Sequence, residues 1–166
     1  MNAEATIRGA AAADAEAICA IYNAALAERG STFETAPRSA ADFDGRIDDA
    51  RFPLLVGVAG KDVLGWAGLA PYSPRQCYEG IGEASVYVDA RARGRGVGTA
   101  LAEALAATAE ERGFHKLTGK LFTDNVASIR LVERCGFDSV GVHQRHGQLD
   151  GTWRDVLVVE RLLGST

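Results

Sequence analysis

Between Arg91 and Gly98 the chain reads Arg-Ala-Arg-Gly-Arg-Gly-Val-Gly, and the residues that follow carry the apolar spacing of a helix. A helix N-terminus presents unpaired backbone N–H groups and the positive end of the helix dipole. Glycines let such a backbone approach a ligand and arginines add charge, so strand, glycine turn and helix in this order form a phosphate site. A solvated arginine loop is the plainer alternative. Two specific phosphate readings fail on spacing. A dinucleotide fold needs GxGxxG and an acidic residue about 20 positions later. Here the glycines fall as GxGxG, and Arg112-Gly113-Phe114-His115-Lys116 at that distance is basic. A Walker loop needs Gly-Lys-Ser/Thr after its glycines, and none follows.

The elements around this turn alternate. Residues 5–10 suit a short first strand, and Asp14 is expected to cap a helix from Ala15 to about Glu28, with Ile18, Ile21, Tyr22 and Ala25 on one face. Ser39 with Asp42 resembles a capping box, followed by a helical face of Phe43, Ile47 and Ala50 that Pro53 ends. Residues 53–59 and 63–72 form a hairpin across Gly60-Lys61-Asp62. Residues 73–82 are read as a loop. Ala84, Val86 and Val88 then alternate with Glu83, Ser85 and Tyr87, which is strand periodicity. The helix after the glycines is expected to bury Val97, Leu101, Ala104, Leu105 and Thr108. A strand at 115–122, a short helix begun by Asn125 and stopped at Gly136-Phe137, and two last strands turning near Asp150-Gly151 complete the chain. Interleaved helices and strands give an α/β (α+β) class, read as one domain over residues 1–166.

Composition narrows the setting. The 166 residues are 47% hydrophobic and 24% charged, as in ordinary globular proteins. A formal charge of −4 argues against nucleic acid as a partner. No apolar run approaches the ~20 residues of a membrane span, and the N-terminus has no signal pattern. Cys19, Cys77 and Cys135 are odd in number and form no metal-ligand cluster, so reduced thiols, a cytoplasmic location and no metal are expected.

Arg93-Gly94-Arg95-Gly96-Val97-Gly98 fits the pattern [QR]-x-x-G-x-[GA], and Asn125-x-x-Ser128-x-x-Leu131 with Cys135-Gly136-Phe137 follows downstream. In this order the motifs resemble the GNAT acyltransferases. Thr32-Phe33-Glu34, Arg75-Gln76-Cys77-Tyr78, Glu83 to Val88 and Gly151 to Val156 are similar to the phosphinothricin N-acetyltransferase branch, so the resemblance covers nearly the whole chain. It implies a GNAT fold with a mixed central sheet of about six to seven strands and about four helices. It also implies acetyl-CoA as co-substrate, a small-molecule amine as acceptor and a homodimer.

The resemblance distributes the site. Arg93, Gly94, Arg95, Gly96, Val97, Gly98 and Thr99 would hold the pyrophosphate. Val86, Tyr87 and Val88 would flank the pantetheine arm, with a main-chain N–H there available to an oxyanion. Asn125 and Ser128 would fix the arm from the other side, Asn125 also being a helix cap. An alkylammonium acceptor has a pKa near 10 by analogy with lysine, so about one amine in a thousand is free at pH 7 and a general base helps. Glu83 matches the branch's catalytic glutamate, with Glu79 as the alternative. Arg75 suits a substrate carboxylate by bidentate pairing, and Tyr78, Tyr72 and Phe33 are candidates for the acceptor pocket. Many superfamily members carry a tyrosine general acid in the Asn-led helix. Here that place is Val132, so a strong general-acid step is not expected. His143 and His146 are read as structural or rim residues, and Trp153 and Asp155 as structural or at a dimer contact.

The function this implies is acetyl-CoA-dependent N-acetylation of the α-amine of an amino acid or a toxic analogue of the phosphinothricin or methionine sulfoximine type, by direct attack in a ternary complex. The alternatives are acetylation of a polyamine, aminoglycoside or protein N-terminus, and a binding module that senses acetyl-CoA without turnover.

Overall fold

In the computed structural model, which describes residues 4–164, the strands are Thr6–Gly9 (β1), Leu54–Ala59 (β2), Asp62–Pro71 (β3), Ile81–Val88 (β4), Lys116–Phe122 (β5), Asp138–Leu149 (β6) and Thr152–Leu162 (β7). The helices are Ala15–Ala27 (α1), Asp44–Ile47 (α2), Val97–Glu111 (α3) and Val126–Arg134 (α4). All seven strands join one sheet in the order β1-β2-β3-β4-β5-β7-β6, antiparallel except where β4 runs parallel to β5. This is the mixed sheet with four helices that the resemblance implies.

Strand alternation divides the core into two layers. Leu55, Ala67, Leu69, Ala84, Val86 and Val88 point to the face covered by α3, where Val97, Leu101 and Leu105 are buried. Leu54, Val56, Trp66 and Tyr87 point to the opposite face, covered by Ile18, Ile21, Tyr22 and Leu26 of α1 and by Phe43. Burying side chains of this size stabilises by roughly 1.5–3 kcal/mol each. The predicted faces of β4 are thus the observed ones.

Several expectations need correction. Asp14 makes no cap bond to α1, because its carboxylate is already occupied: Arg8 donates to it at 2.7 and 3.0 Å and the Ala11 N–H at 2.7 Å. The helix expected from Ser39 to Ala50 is a 3-10 turn at Ala40–Phe43 plus one α-helical turn. The Ser39 N–H does donate to Asp42 (2.8 Å), but Asp49 accepts the Arg51 and Phe52 N–H groups (2.8 and 2.9 Å), a competing turn that ends the helix early. The loop at 73–82 contains a 3-10 turn at Gln76–Tyr78 and yields to β4 at Ile81. On α3, Ala104 and Thr108 are only half-buried, while Ala102, Ala106 and Ala109 are buried, because the helix packs against four strands and α4. At the end of α4, the Gly136 and Phe137 N–H groups donate to Glu133 (3.2 Å) and Val132 (3.0 Å), the bond pattern of a Schellman stop.

Candidate active site

The site starts from a broken ladder. β4 and β5 pair only at Ile81↔Lys116, Gly82↔Leu117 and Glu83↔Thr118. Beyond Glu83, β4 continues with β3 and β5 continues with β7, so the edges from Ala84 and Gly119 onward face a gap. The gap is a slot of about 90 Å³ lined by Ala84 to Tyr87, Gly119 to Leu121, Asn125, Ser128 and Val132 among others. On one side it opens to a channel of about 560 Å³, on the other to a chamber of about 760 Å³. Ser31 and Tyr87 line all three. The Ser31 hydroxyl oxygen is buried there without a hydrogen-bond partner.

The channel lies over the glycine turn. Gly96 precedes α3 with φ +82° and Gly94 has φ +72°, conformations a side chain resists, so glycine at 94 and 96 is what the turn geometry favours. Arg93, Gly94, Gly96, Val97, Gly98 and Thr99 line the channel with Val86, Tyr87 and Val88. Arg93 is held by Glu28 through two bonds of 3.0 and 2.9 Å, and Arg91 by Asp89. Arg95 is exposed and not part of the channel wall. Across the channel the Asn125 side chain accepts from the Ser128 N–H (3.2 Å), capping α4, and donates to the Gly30 carbonyl (3.2 Å). The cap role is thus present, and the same side chain ties the 30–31 loop to the channel wall. The first N–H groups of α3, without intrahelical partners and beside Arg93 at the channel wall, suit a pyrophosphate.

The chamber is aromatic and charged. Tyr22, Trp66 and Phe33 form apolar wall beside Glu34, Arg38, Arg46, Asp49, Glu83, Lys120 and His146. Phe33 meets Phe122 edge-on at 4.8 Å, and a Cβ on Gly147 would collide with its ring. The Tyr22 hydroxyl donates to Glu34, and Arg38 grips the same carboxylate at 2.8 to 3.2 Å while stacking on the Tyr22 ring. Burial acts to raise the Glu34 carboxyl, but these bonds outweigh it and hold the group below its ordinary value. Burial, then Glu34, push the Tyr22 phenol well above its ordinary value, so it stays protonated. Glu83 reaches the chamber where the strands part, 32% exposed, with Lys120 Nζ at 3.3 Å.

The acceptor residues expected from sequence divide. Phe33 lines the chamber; Tyr72, Arg75 and Tyr78 do not. Tyr72 (44% exposed) meets Tyr78 (37% exposed) edge-on at 5.7 Å, and Arg75 lies over the Tyr78 ring, a cluster on the outer loop. Glu79 is also off the wall, its carbonyl taking a bond from Arg51. Val132 lines the slot, at the place that offers no proton. His146 reaches the chamber, stacked on His143 at 4.4 Å, and Asp155 accepts from the Arg145 N–H (2.7 Å), a structural bond. Ser31, Arg38, Arg46 and Lys120 are not singled out by the sequence, and Glu34 stands there only within the Thr32-Phe33-Glu34 motif, with no role given to it. Only Glu34 and Arg38, four apart and opposite in charge, carried a local signal.

Among the described residues no cluster of three or more His, Cys, Asp or Glu stands where it could hold a metal ion, and no helix is long and apolar enough to cross a membrane. The three cysteines are free.

The model of the acetyltransferase (GNAT) family matches residues 18–137. The chain is 35% identical to the L-methionine sulfoximine/L-methionine sulfone acetyltransferase of Pseudomonas paraeruginosa, over 98% of this chain and 96% of the relative. It is 32% identical to the phosphinothricin N-acetyltransferase of Streptomyces viridochromogenes, over 90% of this chain and 83% of the relative. Among solved structures, the phosphinothricin acetyltransferase of Sinorhizobium meliloti in complex with acetyl-CoA superposes with a TM-score of 0.90 at 30% identity, covering 97% of this chain and 89% of that one. A ribosomal-protein-alanine N-acetyltransferase from Brucella melitensis gives 0.90 at 32% identity, covering 95% and 99%.

Proposed function

The chain belongs to the GNAT acetyltransferase family, in its phosphinothricin and methionine sulfoximine branch, and from that premise we propose that it acetylates the α-amine of an amino acid or toxic amino-acid analogue, with Glu83 as general base. The observation that carries this reading is the position of Glu83: a carboxylate in the chamber wall, at the mouth of the slot between β4 and β5. A group there stands within reach of an amine in the chamber that faces a thioester in the adjoining slot.

Acetyl-CoA supplies the activated acyl group. The first turn of α3 and Arg93 hold its phosphates, and Asn125 and Ser128 flank its arm. Glu83 takes the proton of the acceptor ammonium, exposing the lone pair that attacks. Backbone groups on the unpaired edge of β4 after Glu83 are free to donate to the acyl oxygen, which strengthens as charge builds there. Val132 gives no proton to the departing thiolate. A CoA thiol has a pKa close to the ~8.5 of cysteine, so the anion leaves at modest cost and solvent protonates it. The free cysteines accord with a cytoplasmic location, and Trp153, 54% exposed on β7, is the residue we expect at a homodimer contact.

A thiol-release assay with acetyl-CoA tests the acceptor. The panel comprises L-methionine sulfone, L-methionine sulfoximine, phosphinothricin, ordinary amino acids, polyamines, aminoglycosides and an alanine-led peptide. Release with the free amino-acid acceptors is the expected result. Turnover confined to polycations or the peptide would overturn it.

A further inference from the structure

Three cations line the chamber besides His146, and two are already engaged: Arg38 by Glu34 and Lys120 by Glu83. The third is Arg46, on α2. Among the described residues no carboxylate lies within ion-pair distance of it and no hydrogen bond to its guanidinium is formed. Asp49, the chamber-lining acid nearest to it along the chain, spends its carboxylate on the Arg51 and Phe52 N–H groups. Burial, then the nearby Arg38 charge, depress the Arg46 pKa from its ordinary value, the mark of a cation without a counter-ion.

Arg46 is nevertheless seated. Its guanidinium lies 5.5 Å from the centre of the Trp66 ring. Beneath it is Gly68, where a Cβ would fall 2.9 Å from Arg46 Nη2 and 2.9 Å from Leu54 Cδ1, so the guanidinium lies where a larger residue at 68 would displace it. That seat sets Arg46 over a strand residue close to Glu83. Gly68 pairs with Ser85 across the sheet, and Glu83 is two residues from Ser85 on the same face. Diagonal neighbours of this kind are about 7–8 Å apart at the backbone. Such a span fits the amine and carboxylate of one small molecule with a hydrogen bond of about 2.8–3.0 Å at each end.

We propose that Arg46 is the binding residue for the acceptor's acid group, pairing with the carboxylate of an α-amino acid while its amine faces Glu83. The proposal rests on the amino-acid reading above and deepens it. It assigns selection for an acidic acceptor to α2 and the Trp66–Gly68 seat rather than to the outer loop with Arg75.

The test compares L-methionine sulfone with the amine left when its carboxylate is removed, 3-(methylsulfonyl)propan-1-amine, on the wild type, Arg46→Gln and Arg46→Lys. Arg46→Gln is expected to raise KM for L-methionine sulfone roughly 10- to 100-fold, with Arg46→Lys recovering part of the loss. Turnover of the decarboxylated amine and KM for acetyl-CoA should stay within about twofold, which also certifies folding. Equal losses on both amines, or no loss on either, would overturn the proposal. Calorimetry with CoA-saturated protein reads the same contact without turnover. Binding of L-methionine sulfone to the wild type and not to Arg46→Gln supports the contact even if that ligand is never acetylated, an outcome that would sink only the function reading. Binding of equal affinity to both proteins, or none to the wild type, overturns it.

Discussion

Lys120 Nζ stands 3.3 Å from Glu83 Oε2, joining β5 to β4 where the two strands stop pairing. The pair is half-exposed, so its own contribution is small, roughly 0.2–1 kcal/mol. Its meaning lies in competition: an acceptor ammonium that comes to Glu83 takes the place Lys120 holds. Lys120→Met should therefore lower the acceptor KM by up to about fivefold at low ionic strength. Raising the salt should shrink the difference, since exposed pairs are screened. Initial rates at two salt concentrations check this, and a higher KM in the variant would contradict it.

Asn125 serves α4 and the channel wall with different atoms of one amide. Asn125→Ala loses both the Ser128 cap and the bond to Gly30, and should cost about 1–2 kcal/mol. For a chain of this size that is roughly 2–8 °C in Tm. Asn125→Asp keeps a cap acceptor but no donor for the Gly30 carbonyl. It should regain most of the Tm while KM for acetyl-CoA remains raised, as thermal melts and initial rates will report. Full recovery of both would mean that Asn125 acts on the channel only through the helix.

The channel half of this candidate site is far more legible in the sequence than the chamber half, for a physical reason. The glycine turn and the Asn125 cap are local: backbone conformation and helix ends demand particular residues at fixed spacing, and Gly94, Gly96 and Asn125 stand where that demand puts them. Strand alternation around Val86 likewise reads directly as two faces of a sheet. The chamber is assembled from α1, α2, β3, β4, β5, β6, β7 and the 31–38 and 49–52 loops. Arg46 has no local signal, because its seat is made by Trp66 and Gly68, some twenty residues away. Asp14 shows the opposite failure: it has the sequence position of a cap, but Arg8 and Ala11 claim its oxygens.

The Arg8–Asp14 pair, its carboxylate buried and its guanidinium exposed, has a pH signature. The bond from Arg8, reinforced by the Ala11 N–H against the cost of burial, holds the Asp14 pKa below its ordinary value. A depressed folded-state pKa contributes stability that is present above the unfolded value of about 3.9 and is lost as pH falls through the folded one. Asp14→Asn should lower stability by about 1–2 kcal/mol between pH 5 and pH 8. Below about pH 4 the gap to the wild type should close. Melting curves across that range decide it, and a gap that widened in acid would contradict the ion-pair account.

The general-base role of Glu83 is tested most directly by Glu83→Gln, through thiol release with the best acceptor of the wild type and acetyl-CoA binding by calorimetry. The account predicts a fall in kcat at pH 7 of roughly 10²–10⁴-fold. Acetyl-CoA affinity should change by no more than about twofold, because the channel contacts are untouched. The deficit should shrink as pH rises, since the free-amine fraction grows about tenfold per pH unit below the amine's pKa. A variant that turned over at the wild-type rate at pH 7 would contradict the central claim.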